Sequence, residues 1–350
     1  MLYYNNRRHI YYSGIHWEVP KDWLNPVISK GTDTQICFHW DNTIRRYVVY
    51  LRGRPNVRVI TMAESEDCVE WSDRELIIAP DELDPPQDHE LYGMSSMAYG
   101  GYRIGFLSVF HVLYESWAAQ NPRGANSTGL DAGAEWMNTM DIQLTYSSDG
   151  RRYHRAGNRE PILKVGRPGS PDCGSVYPAN APFVHPESGE IWLYYVYGNE
   201  LHGNPPRRGE AVCRGVGLAK IPKDRLVCVR SSSTEAAATS ILTTVPLTVH
   251  PATLRLNVNA SAPDASVVVE LCDPFDRALP GFEKQHCIPI TGVDSLEHQV
   301  RWRGADGRAH DLTGEEGGDA LEEKMVSQSR GTVKLKIYLS GQAEIFAIYP

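Results

Sequence analysis

One glutamate, two aspartates, an arginine, a histidine and several aromatic side chains carry whatever chemistry this chain performs. Two carboxyl groups, one giving a proton and the other acting as nucleophile or base, are equipment for general acid and base catalysis. Glu90 is the candidate acid. It enters a strand-like run beside Tyr92 and Met94, where lost hydration favours a protonated carboxyl. Its other reading is the solvated end of a polar loop, Asp81-Glu-Leu-Asp-Pro-Pro-Gln-Asp-His-Glu90. Asp33 would orient a substrate or face developing positive charge, or else cap the turn Gly31-Thr-Asp-Thr34. Asp172 follows Gly169-Ser-Pro171, which is turn sequence.

Around these carboxyls stand groups suited to holding a polar, uncharged ring. Arg52 ends an aromatic strand and would fork onto hydroxyls, or pair with an acid on a neighbouring sheet. His202, in Tyr197-Gly-Asn-Glu-Leu-His-Gly203, would line a funnel or a central ion site, or be an ordinary loop histidine. Trp40, Tyr92, Tyr177 and Trp192 offer faces for stacking on a sugar, and equally the spacing of sheet-packing core. No metal-ligand spacing, phosphate-cradling glycine loop or Gly-x-Ser-x-Gly elbow occurs, so neither a cofactor nor a metal is expected.

The element that must position these groups recurs three times. It reads as an apolar strand, an aromatic strand, a third strand, and then Ser-acid-Asp with an aromatic. The first copy runs Gln35–Trp40, Arg46–Arg52, Val57–Ala63 and Ser65-Glu-Asp-Cys-Val-Glu-Trp71. The second runs Tyr102–Phe110, Met140–Tyr146 and Ser147-Ser-Asp-Gly-Arg-Arg-Tyr153, with an insertion around 115–139. The third runs Ile191–Tyr197, Gly215–Ala219 and Lys223–Val229. Such a period is that of β-propeller blades. Propellers bind ligands at the axis, so Asp33, Glu90 and Asp172, each at the start of a copy, would meet there. Asp67 and Asp149 belong to outer closing turns and read as structural.

The chain has 350 residues, a formal net charge of -8, 41% hydrophobic and 22% charged residues. That balance fits a globular protein and makes nucleic acid or an anionic membrane surface an unexpected partner. No apolar stretch approaches the ~20 residues of a membrane span, and residues 1–10 lack the apolar core of a signal peptide. A cytoplasmic location is the default expectation. Seven scattered cysteines without Cys-x-x-Cys read as reduced, buried thiols, although Cys272 and Cys287 lie close enough in sequence to pair. After the Ser-, Thr- and Ala-rich stretch 230–241 the repeat stops. The expected division is a propeller domain over 1–240 and a β-sandwich over 241–350, the fold class being all-β.

A propeller followed by a sandwich, with Ser-x-Asp-Gly turns closing strands, resembles glycoside hydrolases of the family 32 and 43 type. The stretches that carry the resemblance include Ser13-Gly-Ile-His-Trp17, Asp33-Thr-Gln35, Trp40-Asp41, Ser147-Ser-Asp-Gly150, Asp172–Tyr177 and Ile191–Tyr195. In the sandwich they are Leu256-Asn-Val-Asn259, Pro280-Gly-Phe282 and Val300-Arg-Trp302. The resemblance implies cleavage of a glycosidic bond in an oligo- or polysaccharide, with Glu90 as acid and Asp33 or Asp172 as the partner carboxylate. The family's propeller has five blades, and about three are counted here. Its first-blade catalytic Asp has no match, which keeps open a carbohydrate-binding protein without catalysis. The Ser-x-Asp-Gly turns also suggest a sialidase-like enzyme, which would need three clustered arginines.

Overall fold

The computed structural model describes residues 28, 36–55, 57–85, 90–112, 138–202, 211–231, 239–248, 254–303, 309–310 and 332–350. It divides into two compact units, Met1–Lys220 and Ile221–Pro350. Among the described residues helix is confined to two 3-10 turns, Gly157–Arg159 and Lys284–His286. The fold class is all-β.

In the first unit, β1 (Cys37–Asp41), β2 (Arg46–Gly53), β3 (Val59–Ser65) and β4 (Glu75–Ile78) form a four-stranded antiparallel meander, the form of a propeller blade. β2 is rich in aromatic and β-branched residues, as a sheet covered on both faces requires. Val48 and Tyr50 enter one apolar cluster, while Val49 and Leu51 enter another on the opposite face.

A second meander runs β5 (Leu91–Tyr99), β6 (Tyr102–Phe110), β7 (Met140–Ser147), with β8 (His154–Arg155) and β9 (Pro161–Leu163) both pairing with β7. The β5–β6 turn is Gly100-Gly101, with φ of 57° and 82°. Two successive residues in the left-handed region make the tight hairpin that Gly-Gly permits. This meander packs on the first through Ile60, Met62, Leu91, Met94, Leu107 and Val109. Polar groups trapped between the two are paired. Arg103 donates to both carboxylate oxygens of Asp41 at 2.9 and 3.1 Å, and the hydroxyls of Tyr50 and Ser96 lie 2.9 and 3.0 Å from that of Tyr153.

A third group contains β10 (Ser175–Pro178), β11 (Phe183–Val184), β12 (Ile191–Gly198) and β13 (Arg214–Ile221). β12 pairs with each of the other three, and a parallel bridge, Ser175 to Met140, joins β10 to β7. Asn180 binds the edge of β1 from this group, accepting from the Phe38 N–H at 2.9 Å and donating to its carbonyl at 3.0 Å.

The repeated Ser-x-Asp motif makes the same turn twice. Ser65 donates to Asp67, and Asp67 accepts from the N–H groups of Val69 and Glu70. Ser147 donates to Asp149, and Asp149 accepts from those of Arg151 and Arg152. Each aspartate thus satisfies backbone donors that the chain reversal would leave unpaired. Those bonds hold the Asp149 carboxyl down at about 2.

The second unit is a sandwich of two sheets. One has the order β14 (Val229–Arg230), β23 (Glu344–Tyr349), β17 (Arg255–Ala260), β19 (Val293–Gln299). The other places β22 (Thr332–Ser340) between β18 (Ser266–Cys272) and the pair β15 (Thr239–Thr243) and β16 (Leu247–Thr248). A short ribbon joins β20 (Trp302–Arg303) to β21 (Ala309–His310). In β22, Val333, Leu335, Ile337 and Leu339 are buried and the residues between them are not, the alternation of a strand with one face in a core. They meet Leu256, Val258 and Ile345 of the facing sheet. Trp302 anchors this core, its indole N–H donating to the Val269 carbonyl at 3.1 Å. The seven cysteines, all described, form no disulfide, and the Cys287 thiol instead accepts from the Val269 N–H at 3.2 Å. The second unit begins at Ile221, ahead of the composition change at 230–241.

Candidate functional site

Strand ends of the first unit bring six side chains together. Arg52 lies near the end of β2 and Arg58 just before β3, on the two arms of one hairpin. Glu90 precedes β5, Tyr92 lies in it, Tyr177 lies in β10, and His202 follows β12. Backbone bonds fix the Glu90 position. The Leu91 N–H donates to the Arg58 carbonyl at 3.1 Å, and the Phe110 N–H donates to the Glu90 carbonyl at 2.9 Å. A further backbone bond, His202 N–H to the Asn138 carbonyl at 2.8 Å, brings in the histidine loop.

Tyr92 is the hub. Its ring centroid lies 4.7 Å from that of His202 and 6.1 Å from that of Tyr177, both edge-on. The Arg52 and Arg58 guanidinium carbons stand 4.8 and 5.8 Å from the same centroid. Phe110 closes the wall, 4.7 Å from His202. The Tyr177 hydroxyl lies 3.4 Å from His202 Nδ1. Glu90 is 0% exposed. Its Oε2 accepts from the Arg58 side chain at 2.7 Å and from the Arg58 N–H at 3.1 Å, while Oε1 has no protein partner.

The electrostatics are those of a half-dry, cation-rich wall. Burial lowers the His202 pKa to about 4, with the fields of Arg58 and Arg52 adding to it. The ring is therefore uncharged at neutral pH, a polar partner and a stacking face rather than a cation. Burial also lowers the Arg52 pKa, and the charges of Arg58 and Arg54 act in the same direction. Burial raises that of Tyr177.

Of the sequence candidates, Arg52, Glu90, Tyr92, Tyr177 and His202 thus form one contiguous cluster. Asp172 is engaged locally. Its Oδ1 accepts from the Ser170 hydroxyl at 2.6 Å and its carbonyl from the Gly166 N–H at 3.2 Å. Trp40 is 41% exposed and packs edge-on against Tyr47 at 4.8 Å. Asp33, with Trp17, lies outside the described residues. Trp192 stacks on His185 at 4.3 Å and has Lys220 Nζ 4.5 Å from its centroid.

Three features escaped the sequence reading. Arg58 reads in the sequence as part of a strand, since one charge in a strand ordinarily marks a solvent face. Its signal was Arg52 six residues earlier across a hairpin. Asp141, buried beside the end of β6, pairs with His111 Nε2 at 2.8 Å, and nothing in the run Met140-Asp-Ile-Gln sets that aspartate apart. Glu200 pairs with Arg214 and acts on the Tyr177 hydroxyl. Among the described residues no group of three or more His, Cys, Asp or Glu side chains is arranged to hold a metal ion.

The fold and site define an all-β protein, built of blade-like meanders and a sandwich, with an arginine and aromatic cluster at the strand ends. No protein-family model and no curated protein matches the chain. Solved structures do match. An endo-arabinase from Bacteroides thetaiotaomicron aligns at 12% identity over 82% of this chain and 90% of that one, with a TM-score of 0.36. A family 117 glycoside hydrolase from Zobellia galactanivorans aligns at 16% identity over 55% of each chain, with a TM-score of 0.35. An N-acetylgalactosamine deacetylase from F. plautii aligns at 15% identity over 53% of this chain and 49% of that one, with a TM-score of 0.37. The chain thus spans about half the length of the last two. At these scores the likeness assigns neither an activity nor a residue. No helix among the described residues is long and apolar enough to cross a membrane.

Proposed function

We propose that this chain is a glycoside hydrolase-like protein acting on the glycosidic bonds of an oligo- or polysaccharide, with Glu90 as the carboxyl acid of its site. The observation that carries this reading is the convergence of Arg52, Tyr177 and His202, three separate sequence candidates, on the ring of a fourth, Tyr92. A sugar needs apolar faces for its C–H surface and fixed donors for its hydroxyls. Tyr177 and His202 offer the first, and Arg52 and Arg58 the second. The Ser-x-Asp turns and the sequence resemblance to the family 32 and 43 type support the same reading. Asp172 or Asp33 would be the second carboxyl, and their separation from Glu90 would set the stereochemical outcome, about 5 Å for retention and about 6.5–9.5 Å for inversion.

A second reading is a carbohydrate-binding protein without catalysis. It is favoured by the complete burial of Glu90, its pairing with Arg58, and the commitment of Asp172 to Ser170. A panel of aryl glycosides separates the two. On the enzymatic reading the intact protein hydrolyses at least one member, and Glu90→Gln lowers its kcat by roughly 100-fold or more. Sugar binding without turnover of any member supports the second reading. Turnover unchanged in Glu90→Gln removes Glu90 from the chemistry.

A further inference from the structure

Two groups of the Tyr92 cluster, Tyr177 and His202, reach it along the same pair of strands. Tyr177 faces Val196 across β10 and β12, and Ser175 faces Gly198. A chain that stayed extended would carry residue 202 about 20 Å beyond Val196, at ~3.3 Å per residue. Instead the Tyr177 hydroxyl lies 3.4 Å from His202 Nδ1. The chain therefore turns back between Gly198 and His202, and it does so against the residue that opens β10. We propose that Gly174 is a positioning residue of the cluster: the turn that delivers His202 to Tyr177 and Tyr92 fits only over a residue without a side chain.

Three observations point the same way. The first is close approach. A Cβ on Gly174 would overlap the carbonyl group of Glu200 and stand 2.7 Å from the carbonyl carbon of Asn199. Both obstacles are backbone, which cannot rotate aside as a side chain can. Gly174 is not a positive-φ glycine, so the lack of space, rather than a left-handed backbone, calls for glycine here. The second is that the turn is held along its length. The Gly174 N–H donates to the Gly198 carbonyl at 3.0 Å, and the Ser175 hydroxyl to the Glu200 carbonyl at 3.2 Å. Asn199 is buried. Its N–H donates to the Cys213 carbonyl at 3.1 Å, and its side chain accepts from the Cys213 N–H and donates to the Ala211 carbonyl, each at 2.8 Å. The His202 N–H is tied to Asn138 at the far end. A Cβ at 174 therefore displaces the turn only by breaking several of these bonds. The third is what the turn carries. The His202 ring lies 4.7 Å from both Tyr92 and Phe110, and Glu200 acts on the Tyr177 hydroxyl. A shifted turn takes His202 out of the wall.

The His202 ring reports its own placement without a sugar, so the test is separate from the carbohydrate reading. NMR titration of the full chain should show Gly174→Ala raising the His202 midpoint by about one pH unit or more, toward the ~6.5 of a solvated histidine, as the ring leaves its buried place beside Arg52 and Arg58. Asp149→Ala, a change in a turn outside the cluster, should leave that midpoint at its wild-type value. A folded Gly174→Ala protein, judged by circular dichroism, with a smaller rise overturns the proposal. So does a rise of the same size in Asp149→Ala, which would mark a general loosening. Should Gly174→Ala fail to fold, Ser175→Ala decides, since it removes the hydroxyl bond to Glu200 and adds no bulk. A rise of about half a pH unit or more then supports the proposal, and a smaller one overturns it.

Discussion

At the residue scale two groups, Glu90 and His202, set the properties of the cluster. His202 is a base whose folded pKa, about 4, lies below the ~6.5 of an unfolded histidine. The unfolded chain therefore takes up its proton first as pH falls. The stabilisation from keeping the ring neutral is complete above about pH 6.5 and is lost as pH drops toward 4. NMR titration of the His202 ring should give a midpoint well under 6, and His202→Gln should flatten the stability profile over that window. A midpoint at 6.5 would contradict the buried placement. Glu90 predicts a cost. Arg58→Ala leaves the buried Glu90 carboxyl without its hydrogen-bonding partner, and urea unfolding should show a loss of about 1–3 kcal/mol. A loss under about 1 kcal/mol would mean the pair is solvated. Glu90, Tyr92 and His202 were legible in the sequence because each sits where a strand begins or a loop closes beside aromatics. The partner of Glu90 was not, because pairing between Arg58 and Glu90 depends on how one sheet edge lies beside the next.

At the element scale the repeated Ser-x-Asp turn is the device that closes each blade-like meander. Its backbone bonds hold the Asp149 carboxyl at about 2, below the ~3.9 of an unfolded aspartate. Its contribution is therefore present above about pH 4 and lost as pH falls from there toward 2. Asp149→Ala should cost about 1 kcal/mol at neutral pH and little at pH 2, as read from thermal unfolding across pH. An equal cost at both would show that the charge plays no part. The turn was legible because its residues are contiguous and occur twice. The same holds for β22, whose alternation of apolar and polar residues names its buried face directly. Lys223–Val229 reads in the sequence as the last strand of the third copy, but the strand is Val229–Arg230 and belongs to the sandwich, because two residues carry no periodicity and are a strand only by pairing with Ile345 and Glu344.

At the scale of the whole molecule each unit keeps its own core. The large cluster of the second unit runs from Leu242 to Ile348, and the clusters around Leu91 and Tyr92 stay within the first. Trp302→Ala should therefore remove about 3–5 kcal/mol from the second unit, as read by urea unfolding with a probe inside that unit. A loss under about 1 kcal/mol would contradict its place at the centre of that core. The composition change at 230–241 does not coincide with the start of the second unit, because β14 and β15 on either side of it both pair into the sandwich. Composition records solvent exposure, whereas unit boundaries follow strand pairing. A sugar is expected to bind where Arg52, Arg58, Tyr177 and His202 surround Tyr92. A crystal structure of the full chain with the tightest-binding oligosaccharide tests it most directly. The sugar ring should lie in van der Waals contact with Tyr177 and His202 and be hydrogen-bonded to Arg52; a sugar held elsewhere, with this cluster unchanged, would rule the site out.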